Sequence, residues 1–250
     1  MIPKIIHYCW LSNDKIPDDL AHYMQTWEKY LVGYKFMLWN FDRFPKSRSK
    51  WVSEAFDNKK YAFAADYIRL YAVYTYGGIY LDMDVEVLKS FDPLLQLNSM
   101  LCWQNEWPGL EVAAFGAEKG SDWIKDCLDF YNNRNFINDD GSFNTRPLPG
   151  VVEGILHQNG YTLIDVNNAE EAIRTESRPK TIPVLTPDYF SPKSLKTYKI
   201  KTTSNSFCIH HFAGSWLPWY SRWESSICHS IGIKDRAILM SIAKKLGIYK

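Results

Sequence analysis

The stretch that most limits what this chain can become runs from Tyr61 to Val87, YAFAADYIRLYAVYTYGGIYLDMDVEV. Tyr61 to Tyr76 contains neither Gly nor Pro and is apolar on most faces, which predicts a buried helix, with Asp57 or Asn58 as its cap. Asp66 and Arg69 interrupt it at i and i+3, so they leave one face about a turn apart and, if buried, must be matched with each other or with a ligand. Gly77 and Gly78 end the helix and allow a sharp turn. Ile79 to Val85 then predicts a strand with Ile79, Leu81 and Met83 on one side and Tyr80, Asp82 and Asp84 on the other.

Two aspartates at i and i+2, with no Lys or Arg nearby in sequence, repel each other unless a cation sits between them. Mg2+ or Mn2+ suits such oxygens and keeps positions open for a substrate's phosphates. A bare Asp-x-Asp triplet is most often a solvated strand end, since short motifs recur by chance. The surroundings change that reading. Ala62 or Ala65, Asp66, Arg69, Val73, Gly77, Gly78, Tyr80, Asp82 and Asp84 fill a pattern that resembles the DXD region of the sugar-transferring glycosyltransferases of family 32. That family includes the yeast initiating mannosyltransferase type, bacterial capsule and lipooligosaccharide transferases and, remotely, the glucosylating domain of clostridial toxins. The resemblance implies a GT-A type α/β fold, a Rossmann-like mixed sheet flanked by helices, a nucleotide-diphosphate sugar donor and retention of anomeric configuration.

The remaining sequence accommodates such a fold. At 250 residues, 46% apolar and 16% aromatic, the chain can bury a substantial core in one α/β domain. A net charge of +1 provides no basic field to attract nucleic acid. Cys9, Cys102, Cys127, Cys208 and Cys228 show no C-x-x-C spacing and read as reduced core residues. The opening MIPKIIHYCWL has an apolar run too short to span a membrane and no cationic start or cleavage site. A cytoplasmic, bacterial enzyme is the resulting expectation.

In chain order, Lys4 to Trp10 predicts a fully covered first strand with His7 in the core, and Trp10 at the strand end where open α/β sheets bind nucleotides. This start resembles the family's I-P-K-I-I-H-x-x-W opening, which implies that Trp10 stacks on or flanks the donor base; simple packing is the alternative. Asp18 to Leu31 predicts a helix, Tyr34 to Trp39 a strand, and Ser49 to Asn58 another helix. Asn40 to Arg43 is a second candidate for nucleotide contacts. Beyond the central stretch come a helical turn at Phe91 to Pro93, strands at Ser99 to Gln104 and Val112 to Ala117, and a helix at Ser121 to Asn133. The buried stripe of that helix is Trp123, Ile124, Cys127, Leu128 and Tyr131. The polar segment Asn132 to Pro149 reads as a substrate-site lid. Where the family often has a T-G-P-like turn, this chain has Thr145 to Gly150, which leaves the acceptor side unread. Val151 to Asn159 predicts a helix and Tyr161 to Val166 a strand, while residues 167 to 205 show only a strand at Ile182 to Leu185.

The segment Phe207 to Trp219, FCIHHFAGSWLPW, carries two histidines on a short strand. Imidazole joins carboxylates readily around a transition metal. The segment resembles the family's I-H-H-x-x-G-S-W element, which implies that His210 or His211 approaches the metal and diphosphate and that Ser215 and Trp216 close over them. Strand alternation lets only one histidine face the site, and His211 is the one favoured. Residues 221 to 250 predict two C-terminal helices appended to a catalytic core of 1 to 220. Lys234, Arg236, Lys244, Lys245 and Lys250 beside Asp235 make the end basic, either as a solvated face or as a peripheral contact with an anionic bilayer.

The expected function is metal-dependent, retaining transfer of a hexose from a UDP- or GDP-sugar to a glycan or lipid-linked oligosaccharide, in bacterial capsule or other surface polysaccharide synthesis. Asp84 and Asp82 hold the ion in that reading, Asp66 and Arg69 grip the donor sugar, and Tyr80 stands near the nucleotide or sugar. A metal-dependent phosphohydrolase is an alternative, although no clear set of extra ligands and a water-activating base accompanies the triplet. A non-catalytic sugar- or nucleotide-binding relative is the other.

Overall fold

A computed structural model describes residues 1–212 apart from 106–108, 133, 195, 196 and 198. Ser215, Trp216, Cys228 and the helices expected over 221–250 lie outside the described residues. Nine strands and six helices follow one another as β1 (Ile5–Cys9), α1 (Asp18–Tyr30), β2 (Lys35–Trp39), α2 (Lys50–Asp57), α3 (Tyr61–Tyr76), β3 (Gly78–Leu81), β4 (Val85–Val87), β5 (Ser99–Cys102), β6 (Ala114–Ala117), α4 (Asp122–Asn132), α5 (Leu148–Gln158), β7 (Thr162–Val166), α6 (Ala169–Glu176), β8 (Thr181–Leu185) and β9 (Cys208–His210) among the described residues.

The main sheet has seven strands in the order β2-β1-β3-β6-β5-β8-β7. Only β6 runs against its neighbours, so the carboxyl ends of all the other strands and the start of β6 share one edge. This is the mixed sheet flanked by helices that the family resemblance implied. Side chains alternate across it: Tyr80 joins the core formed with α2, α3, α4 and α5, while Ile79 and Leu81 join the core formed with α1 and α6. Covering both faces explains why β1 and β3 read as near-continuous apolar runs. The predicted stripe of α4 is buried in full.

At the centre, α3 ends as its sequence demands. Gly77 has φ 66° and Gly78 φ 112°, and a Cβ on Gly78 would come within 2.6 Å of the Ile5 carbonyl oxygen, so β1 can lie against the turn only if that residue is glycine. His7 secures the junction from β1. Its Nε2 lies 2.8 Å from the Gly77 carbonyl oxygen, and the indole Nε1 of Trp39 donates to its Nδ1 at 3.0 Å. Since an indole only donates, Nδ1 accepts and Nε2 carries the proton. Burial pushes this imidazole down to about 4, helped by the Arg43 charge and opposed by the Gly77 hydrogen bond.

Three expectations change. Asp57 and Asn58 do not cap α3; α2 runs through Asp57, the Asn58 side-chain Nδ2 donates to the Glu54 carbonyl at 2.8 Å, and α3 begins after Lys60 without a side-chain cap. Burial against both neighbouring helices holds α3 instead. The strand expected over Ile79 to Val85 divides at Asp82, where the chain turns out of the main sheet and β4 pairs antiparallel with β9 in a second, two-stranded sheet. Finally, α6 was not foreseen: Asn168 caps it by accepting from the Glu171 amide at 2.9 Å, but only Ala172 and Thr175 are buried, too short an apolar stripe to read.

Candidate active site

The turn Asp82-Met83-Asp84 lies at the shared carboxyl edge, between the last residue of β3 and the first of β4. The Asp82 amide donates to the Ala113 carbonyl at 2.7 Å and the Val85 amide to the Asp82 carbonyl at 3.1 Å, which closes the turn. Helix α1 braces it from outside, through the Trp27 indole donating to the Val85 carbonyl at 2.7 Å. In a turn the carboxylates need not alternate as on a strand, and both aspartates reach one place. Asp82, Asp84 and His210 each offer a ligand atom within 4.8 Å of the others'.

Asp82 is neutralised through space, contrary to the expectation of an uncompensated pair. Arg69 sets one terminal nitrogen 3.2 Å from Asp82 Oδ2 and 3.0 Å from the Val112 carbonyl, and the other 3.3 Å from Asp66 Oδ1. The Tyr80 hydroxyl donates to Asp82 Oδ1 at 2.8 Å, and the guanidinium lies 4.6 Å above the Tyr80 ring centroid. Tyr80 is 1% exposed, so it stands behind Asp82 and not in the open where a nucleotide could touch it. Arg69 and Asp66 are buried as well. The expected separation between a sugar-gripping pair and a metal-holding pair therefore does not hold: Asp66, Arg69, Tyr80 and Asp82 form one connected network. Burial pushes the Asp66 carboxyl up to about 6, against the Arg69 charge and with the repulsion of Asp82. Burial likewise raises Asp82, with Arg69 opposing and Asp84 adding to the rise.

Of the two histidines, the structure brings His210 to the aspartates, and the preference for His211 is corrected. Strand β9 pairs with β4 so that His210 faces Val85, and the His211 amide donates to the Asp84 carbonyl at 3.0 Å. The His210 Nε2 then lies 3.6 Å from Asp84 Oδ2 and its Nδ1 3.0 Å from Glu111 Oε2. His211 points the other way, stacked on Tyr23 at 4.4 Å between centroids with Nε2 2.8 Å from Glu86 Oε2. Burial works against a charged His210, but the Glu111 and Asp84 carboxylates outweigh it and hold the imidazole well above its ordinary value. His211 is lowered by burial despite Glu86. Lys193 donates to the His211 carbonyl at 2.6 Å, which places a further cation at this turn.

Two carboxylates and an imidazole fit a divalent cation. The oxygens of Asp82 already accept from Tyr80 and Arg69, but a carboxylate has about four lone-pair sites, so it can still ligate. Trp10 stands at the end of β1, half-buried, its indole donating to the Asp14 carbonyl at 2.9 Å. Glu111 was missed by sequence reasoning, although a lone acid between Leu110 and Val112 in an apolar run was the available signal.

The family described as "Glycosyltransferase sugar-binding region containing DXD motif" matches residues 17–101, from α1 to β5. An inositol phosphoceramide mannosyltransferase of Schizosaccharomyces pombe is 35% identical over 98 residues, 38% of this chain and 27% of the relative. A mannosyl phosphorylinositol ceramide synthase of Saccharomyces cerevisiae is 35% identical over 108 residues, 40% of this chain and 27% of the relative. The chain thus spans about a quarter of the length of these curated relatives. Among solved structures, the PaToxG glycosyltransferase superposes with a TM-score of 0.47 at 18% identity, over 64% of this chain and 70% of that one. Residues 17–101, with Asp66, Arg69, Asp82 and Asp84 among them, are thus the part of this chain that is similar to the DXD-containing sugar-binding region of glycosyltransferases.

Proposed function

We propose that this chain transfers a hexose from a nucleotide-diphosphate sugar to a glycan or lipid-borne acceptor, with Asp82, Asp84 and His210 holding a divalent ion, Mn2+ or Mg2+. The observation that carries the reading is the convergence of these three side chains at the carboxyl edge of a mixed sheet, with Asp82 and Asp84 inside the segment that matches the family. When bound, the ion would supply Lewis-acid neutralisation of the charge that develops on the departing nucleotide diphosphate. The chain's own residues prepare the place. Arg69 and Tyr80 fix the Asp82 carboxylate, Asp66 fixes Arg69, and Lys193 brings a positive charge beside Asp84's turn. Trp10, at the neighbouring strand end, offers a ring face for the donor base, and Ser215 and Trp216 would close over the diphosphate. Retention, by acceptor attack on the face the diphosphate leaves, rests on the family resemblance.

The names of the curated relatives direct the choice of sugar and acceptor. They are mannosyltransferases acting on an inositol-phosphate ceramide, and they come from yeasts. A mannosyl donor and a phospholipid-like acceptor therefore stand ahead of capsule synthesis, for which the comparisons provide no support. Work at the inner face of a membrane, with the basic end of the chain as the contact, is consistent with such an acceptor; among the described residues, no helix is long and apolar enough to cross a bilayer. The test is a panel of UDP- and GDP-sugars with Mn2+ or Mg2+, followed by release of free nucleotide diphosphate. Release from one donor, abolished by chelator, is expected. No turnover and no binding of any nucleotide diphosphate would remove the reading.

A further inference from the structure

Glu111 has no task in sugar transfer as described above, yet it is a fully buried acid beside the candidate metal ligands. Its surroundings hold it rigidly. The Glu111 amide donates to the Cys102 carbonyl at 2.7 Å, and its Oε1 accepts from the Ala113 amide at 2.9 Å. The remaining oxygen, Oε2, lies 3.0 Å from His210 Nδ1, and the opposite ring nitrogen, Nε2, is the one that faces Asp84. A carboxylate with no solvent exposure needs a positively polarised partner, and the His210 ring is what the fold puts there. A carboxylate on Nδ1 makes that nitrogen the donor, so that when a cation displaces the proton on Nε2 it is the Nε2 lone pair that is directed at the site.

We infer that Glu111 is a positioning residue: it fixes the ring and tautomer of His210, and so gives the site a nitrogen donor that makes it prefer Mn2+ over Mg2+. Nitrogen ligands suit first-row transition ions, whereas Mg2+ favours an all-oxygen octahedron and keeps its waters. The inference rests on the metal-dependent reading above, but concerns which ion is chosen and what enforces the choice. Carboxylates in this position behind a ligating histidine change metal affinity by about 10- to 100-fold when removed.

The experiment measures Mn2+ binding by the electron paramagnetic resonance signal of free Mn2+, with Mg2+ competition, on the full chain with UDP or GDP present. Glu111→Gln keeps the side-chain shape but can present an N–H to His210 Nδ1. It should weaken Mn2+ binding about tenfold or more and narrow the Mn2+-to-Mg2+ ratio. His210→Ala should do the same, and adding Glu111→Gln to it should cost nothing further. Unchanged Mn2+ binding in folded Glu111→Gln, or losses that simply add in the double variant, overturns the role of Glu111. A wild-type chain that binds no Mn2+ overturns the metal reading itself, which is a different result. Should Glu111→Gln fail to fold, the wild type still decides: with Zn2+ bound, long-range proton–nitrogen spectra should show His210 protonated at Nδ1, and protonation at Nε2 overturns the proposal.

Discussion

Arg69 and Asp82 meet at 3.2 Å across the junction of α3 and β3, joining the helix's charged pair to the turn that carries the candidate metal ligands. Glycine geometry makes the meeting possible, because Gly77 and Gly78 fold the strand directly back along the helix. Arg69 is 6% exposed and is shared between two acids, so its removal leaves the buried Asp66 and the half-buried Asp82 without their cation. Arg69→Ala is expected to lower stability by about 3–5 kcal/mol and to weaken metal binding as well as turnover. Urea unfolding and Mn2+ titration measure the two effects. A variant that binds Mn2+ like the wild type would show that Asp82 does not depend on Arg69.

Asp84→Asn tests the other carboxylate. The substitution keeps shape and removes charge, so metal-dependent release of nucleotide diphosphate should be abolished while the unfolding midpoint stays close to that of the wild type. Activity of the wild type in excess chelator, or activity of the folded variant, contradicts the assignment.

Tyr80→Phe isolates one hydrogen bond. The ring remains packed under Arg69, but the 2.8 Å bond to Asp82 Oδ1 is lost. Hydrogen bonds to a charged group contribute about 1.5–3 kcal/mol, and part of that should appear in turnover as roughly a tenfold decrease. Steady-state kinetics should show the loss mainly in kcat at saturating donor, because the buried Tyr80 touches Asp82 and is not open to the donor. A change confined to the KM for donor would instead put the hydroxyl in contact with the nucleotide sugar.

The His7 ring predicts a pH dependence of stability. Its imidazole stays neutral in the fold down to about 4 but takes up a proton near 6.5 when unfolded. Between those values the unfolded chain binds more protons, so stability rises with pH; it is fully present above about 6.5 and is lost as pH falls toward 4. The loss is on the order of 3 kcal/mol. Protonation at Nδ1 would also turn the Trp39 N–H against another N–H. His7→Gln can keep both hydrogen bonds without titrating, and the difference between its unfolding free energies and those of the wild type, measured from pH 4 to 7, should show this slope. Parallel curves would contradict it.

The sequence by itself determined most of the elements, because their signals are local. The apolar helix from Tyr61 to Tyr76, its two-glycine stop, the strands around Ile6 and Ile79 and the stripe of α4 all depend on residues a few positions apart, where backbone sterics and side-chain period act. The acidic triplet and the histidine pair were visible for the same reason, as was the likeness of their surroundings to a known family. Tertiary structure alone decided how the charges pair. Arg69 neutralises Asp82 from a different element, Glu111 reaches His210 across 99 positions, and pairing of β9 with β4 turns His210 inward and His211 toward Tyr23 and Glu86. The break of the strand at Asp82 belongs with these, since β4 leaves the main sheet for a partner more than a hundred residues later. Electrostatic attraction and strand pairing depend on distance in space. Periodicity along the chain has no means of recording that distance.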